Sequence, residues 1–137
     1  MQVQSLHGDF INYTYTEVRT YEDIDDRFLQ STFKALDFLI RTNALTIQFQ
    51  GEDELKRVDI MDVLVADTVH NISIVHGKRN AYNHRLNSIM FLDIHGAVFR
   101  KNHKKKCNRR NKGCNSPVAL LSHELIHCYN ELYENDD

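Results

Sequence analysis

The sequence predicts an α+β domain in which a mixed sheet, a long packing helix and a C-terminal helix bearing His-Glu-x-x-His share one core. Three observations predict it. Short alternating or β-branched stretches are spread between residues 10 and 100, an apolar periodicity of helical type covers residues 22–41, and a second occupies the last twenty or so residues. At 137 residues the chain is expected to form one domain over residues 1–137, large enough to bury a substantial core.

The elements follow in order. Residues 10–18 alternate and carry Ile11, Tyr13, Tyr15 and Thr16, the pattern of a strand. Over residues 22–41 the positions Ile24, Phe28, Leu29, Phe33, Leu36, Leu39 and Ile40 recur at helical spacing, and Asp23, Asp25 and Asp26 complement the positive end of a helix dipole. Residues 45–49 read as a strand ending at the Gly51-Glu52-Asp53 turn. Residues 58–65 fit strand and helix equally, and residues 71–75 form a further short strand. Residues 87–93 and 97–100, separated by His95-Gly96, read as a hairpin.

The last helix carries the chemistry. Ser116 is a good N-cap and Pro117 suits the first helical position, where its missing N–H costs nothing. Val118, Leu121, Leu125, Cys128, Tyr129 and Leu132 fall on one side, and His123, His127, Asn130 and Glu134 on the other. Leu120 and Ile126 flank the polar stripe, so this helix is expected to be buried on most of its circumference with its histidines facing a cleft. Two histidines four residues apart lie about 6 Å apart along one helix face, and both imidazoles can reach one Zn²⁺. Glu124 follows the first of them, where a carboxylate flanks the metal and can take a proton from water activated there.

Residues 116–133, SPVALLSHELIHCYNELY, resemble the active-site helix of the short zinc metallopeptidases that bacteria deliver into host cells, above all the NleD-like type III effector family. They are also similar to the active-site helix of clostridial neurotoxin light chains, which has a comparable apolar run, the same HELIH and a Leu-Tyr pair after it. The likeness covers 18 residues. It implies a zincin-like metallopeptidase domain that hydrolyses peptide bonds, with a host protein as substrate, His123 and His127 as zinc ligands and Glu124 as the catalytic carboxylate. By analogy with such enzymes, an edge strand borders the metal cleft and pairs with extended substrate; residues 89–93 are the candidate by order along the chain.

A catalytic zinc takes three protein ligands and keeps one position open, so two histidines are one short. Glu134 shares the bearing of the histidine pair but lies roughly 10 Å beyond His127 on a straight helix. If the helix ends near Leu132, the acidic tail can fold back and offer Glu134 or Asp136; Glu131 is nearer but rotated, and a ligand beyond Asp137 is a further alternative. The folded-back tail, with Glu134 as third ligand, is the preferred reading. Tyr133, His95 and Arg100 are the candidate second donors to the oxyanion, and the sequence does not choose between them.

Composition is compatible with this reading without selecting it. Hydrophobic residues make up 42% and charged residues 26%, no apolar run approaches 18 residues, and the N-terminus lacks a cleavable signal. A soluble protein is expected; effectors exported by specialised bacterial systems into host cytosol also lack such signals. The net charge of −2 hides an asymmetry. Residues 100–112 hold 8 of the 17 basic residues and no acidic one, leaving 9 basic against 19 acidic residues, or −10, elsewhere. Such a block is usually a solvated loop; its functional alternative is a basic lip that attracts acidic protein segments, anionic lipid or nucleic acid. The segment has no aromatic stacking platform, which weighs against nucleic acid as main partner. Cys107 and Cys114 flank the tip of this segment without a recognised metal spacing, Cys128 reads as a small buried residue, and reduced thiols are the default. The rivals to a peptidase are therefore a non-catalytic zinc-binding protein and a basic-loop binding module for nucleic acid or acidic proteins.

Overall fold

The computed structural model describes residues 1–100, 103–106 and 115–134, with residues 97–100 and 103–106 described through their backbone only. The described chain runs β1 (Gln2–Gln4), β2 (Phe10–Asn12), a 3₁₀ turn (Tyr21–Asp23), α1 (Arg27–Thr42), β3 (Thr46–Gln50), β4 (Leu55–Asp59), α2 (Ile60–Ala66) and β5 (Ser73–His76). It continues through β6 (Ala81–Asn83), β7 (Ser88–Phe91), β8 (Ala97–Arg100), β9 (His103–Lys106) and α3 (Pro117–Tyr129), which passes into one π turn (Asn130–Glu134). No helix among the described residues is long and apolar enough to cross a membrane.

The expected α+β class with a mixed sheet is present. Five strands order as β2-β1-β5-β7-β6; β1, β5 and β7 run parallel, while β2 and β6 are antiparallel edges. Register aligns Val3, Ile74, Ile89 and Tyr82 across the sheet on one face. The first three are fully buried, because α1 packs over β1, α3 packs over β6 and β7, and the two helices pack against each other. Phe28 of α1 meets Phe91 of β7 at 6.1 Å between ring centres, and Leu36 and Leu39 belong to the same buried core.

Local chemistry explains the helix ends. Asp26 caps α1 by accepting the N–H groups of Phe28 and Leu29, both at 3.0 Å, so the helix starts there rather than at residue 22. Asn43 ends it in the left-handed conformation at φ 51°. The ambiguous stretch 58–65 proves to be both things: Val58 lies in β4, and Asp59 caps α2 immediately after.

Several strand expectations are corrected. The strand expected over residues 10–18 is confined to Phe10–Asn12. Residues 87–93 do not form a hairpin with 97–100; β7 pairs with β5 and β6, and Ala97–Arg100 pairs with His103–Lys106, inside the expected basic loop. Residues 89–93 therefore do not supply a free edge, since β7 is hydrogen-bonded on both sides. Among the described residues, the edge strand beside α3 is β6, whose three residues carry too little alternation to be read as a strand. The rest of the basic segment, with Cys107 and Cys114, lies outside the described residues.

Candidate metal centre

Helix α3 begins as its sequence predicts. Ser116 Oγ accepts the Ala119 N–H at 3.1 Å, and Pro117 occupies the first turn. Leu121, Leu125, Cys128 and Tyr129 are buried, which anchors the helix and turns His123 and His127 outward. Ile126 departs from expectation in being exposed.

The histidine Nε2 atoms face each other at 3.0 Å. Two imidazoles bound tetrahedrally, each about 2.0–2.1 Å from zinc, would hold their nitrogens roughly 3.3 Å apart, so these two residues suit one shared cation. Glu124 has a different environment. Its side chain is only 10% exposed, against 68% for His123, and its Oε1 lies 3.9 Å from His123 Nε2.

Two hollows meet at this carboxylate. A cleft of about 600 Å³ separates Ala119, Leu120, His123 and Glu124 from Lys78, Arg79 and Asn80, which lie on the β5–β6 connection. A second hollow of about 330 Å³ sets Glu124, His127 and Glu131 against Ala81, Tyr82 and His84. Thus the wall opposite the metal motif is the edge strand β6 with its two flanking connections.

The third ligand is not gathered. Glu134 lines a shallow hollow with His127, Asn130 and Glu131, and the π turn widens the helix at these positions, altering the bearings a straight α-helix would impose. Among the described residues, no three His, Cys, Asp or Glu side chains converge closely enough to hold a metal ion. Glu131 and His84 share a hollow with His127, whereas Asp136 lies outside the described residues.

The second-donor options also separate. Tyr133 donates its hydroxyl to Asp67, and burial together with that bond pushes its pKa up to about 12. His95 lines another groove with Lys34, Phe38 and Arg41, and the Arg100 side chain lies outside the described residues. Behind the site, burial pushes the Cys128 thiol up to about 12, where it is inert. Tyr82 touches that thiol and has its own pKa raised by burial, the Cys128 charge and that contact, so β6 is tied to α3 directly behind His127.

Sequence reasoning missed Lys78, Arg79, Asn80 and His84. The only available signal was a basic pair after Gly77 and a turn-forming run from Asn83, and neither acquires meaning until β6 is known to be an edge. Comparison with family models, curated proteins and solved structures finds no match to this chain.

Proposed function

We propose that this chain is a zinc-dependent metallopeptidase that cleaves an extended segment of a protein substrate. The observation that carries the reading is the convergence of His123 Nε2 and His127 Nε2 at 3.0 Å beside the nearly buried carboxylate of Glu124. Zinc held by these histidines and an acidic third residue, Glu134 in the preferred reading, would supply Lewis acidity to water and to the scissile carbonyl. Glu124 would remove a proton from the attacking water and return it to the leaving nitrogen. The edge strand β6, unpaired on its outer side among the described residues, would align the substrate backbone by strand addition. The likeness of residues 116–133 to effector active-site helices extends the proposal to a secreted bacterial effector acting on host proteins.

A structural zinc is closed by four protein ligands and has no use for a carboxylate placed as a base, which favours catalysis over a non-catalytic zinc protein. The test has two arms. Wild-type protein should bind about one zinc per chain, and His123→Ala or His127→Ala should remove most of it. Glu124→Gln should keep the zinc and the fold while activity falls roughly 10²–10⁴-fold. Wild-type protein that takes up no zinc from excess metal would sink the proposal, and an equally active Glu124→Gln variant would remove Glu124 from its role.

A further inference from the structure

The larger cleft beside the histidines carries more information than the metal motif. One wall belongs to α3, where Ala119 and Leu120 lie beside His123 and Glu124; the other presents Lys78 and Arg79. Both cations are exposed, and neither has an ion-pair partner among the described residues. Glu124 is the one carboxylate among the described residues lining this cleft. Two unneutralised cations in a concave site focus a positive field into it, and an arginine fork can grip a carboxylate or phosphate through two parallel hydrogen bonds.

Their presentation is rigid. Asn80 accepts the N–H groups of Leu92 at 2.8 Å and Asp93 at 3.2 Å, and donates to the Asp93 carboxylate at 2.6 Å. At the other end of the connection, Gly77 lies so close to β7 that an added Cβ would sit 2.9 Å from Met90 Cβ. Four residues pinned at both ends therefore hold Lys78 and Arg79 immediately before the edge strand β6.

We infer that Lys78 and Arg79 form a subsite for an anionic substrate side chain close to the scissile bond. The inference rests on the peptidase reading and names its substrate class. A compact volume of about 600 Å³ is roughly 8 Å across, the span of two or three extended residues at about 3.3 Å each, so the anionic residue lies within that distance of the bond cut.

The test uses zinc-loaded protein and quenched fluorescent peptide pools in which each position is fixed in turn as Glu, phosphoserine, Gln or Lys. At one position near the cleavage point, kcat/KM for Glu should exceed that for Gln by about tenfold at low salt, and the advantage should shrink as salt rises. Phosphoserine outperforming Glu would mark phosphate as the preferred anion, and the reverse would mark carboxylate. The double variant Lys78→Glu/Arg79→Glu should reverse the preference, read as the ratio of kcat/KM for the Lys pool to that for the Glu pool at that position. A separate arm measures fluorescence anisotropy of the same peptides with Glu124→Gln protein, where the charge preference should persist without turnover. Wild-type cleavage with no anionic preference, or a preference unchanged in the double variant, overturns the subsite and leaves the peptidase reading standing. If no pool is cleaved, the peptidase reading falls, and the anisotropy arm alone decides whether the cleft selects anions.

Discussion

Asp67 shows how one side chain far from the metal motif can secure it. Its carboxylate is 1% exposed and accepts the N–H groups of Val69 at 2.9 Å and His70 at 2.8 Å, the Tyr133 hydroxyl, and a contact from His70 Nδ1 at 2.5 Å. Tyr133 stacks on Tyr129 at 5.4 Å, so Asp67 fastens the π turn that follows α3, and with it Glu131 and Glu134. Burial alone would raise the Asp67 pKa, but these hydrogen bonds outweigh it and hold the carboxyl well below the usual range. A depressed carboxyl contributes stability that is complete above the unfolded value of about 3.9 and lost as pH falls towards the folded value. Asp67→Asn should therefore cost roughly 1–3 kcal/mol at neutral pH, with the gap from wild type closing in strong acid. Urea unfolding at pH 7, 4 and 2 checks this; a gap that is constant across the series would show that the charge is not what matters. Nothing in the sequence pointed to this contact, because its partners are 66 residues apart.

At the scale of elements, α1 and α3 were legible and the strands much less so. Helices of 16 and 13 residues repeat their apolar spacing several times and declare their starts through Asp26 and Ser116. Strands β1, β2 and β6 have three residues each, too few for alternation to separate them from loop. The His-Glu-x-x-His motif was accordingly visible in the sequence, whereas the wall facing it was not. Gly77 defines the geometry of that wall by a packing constraint rather than by backbone freedom. Gly77→Ala would push a methyl group into Met90, so the β5–β6 connection must shift or β7 must yield. The expected cost is about 1–3 kcal/mol, read as a lower denaturation midpoint, together with, on the proposed subsite, a weakened preference for anionic peptides. A variant as stable and as selective as wild type would mean that Met90 moves aside freely.

At the scale of the whole molecule, the sequence predicted the layer arrangement better than the connectivity. Apolar periodicity reveals which side of a helix is covered, and it is silent about which strands become neighbours. That gap was widest at the centre of the sheet, where Gln2 and Val3 pair in parallel with Ser73 and Ile74. This ladder encloses some 70 residues, including α1, the β3–β4 hairpin and α2. Joining the ends of a flexible loop of that length costs roughly 4 kcal/mol beyond a constant term, before any sheet contact compensates for it. Refolding should therefore take milliseconds to seconds rather than microseconds, and stopped-flow tyrosine fluorescence would show it; completion within tens of microseconds would contradict this topology. Helix α3 packs on β6 and β7, which pair with β5 within residues 73–91, so the floor beneath the two imidazoles is built from short-range pairings and does not require the ends of that long loop to meet. On the proposed zinc reading, a chain refolding with zinc present would thus capture the metal without waiting for the β1–β5 ladder, and the rate of metal capture would separate assembly of this half of the sheet from closure of the long loop.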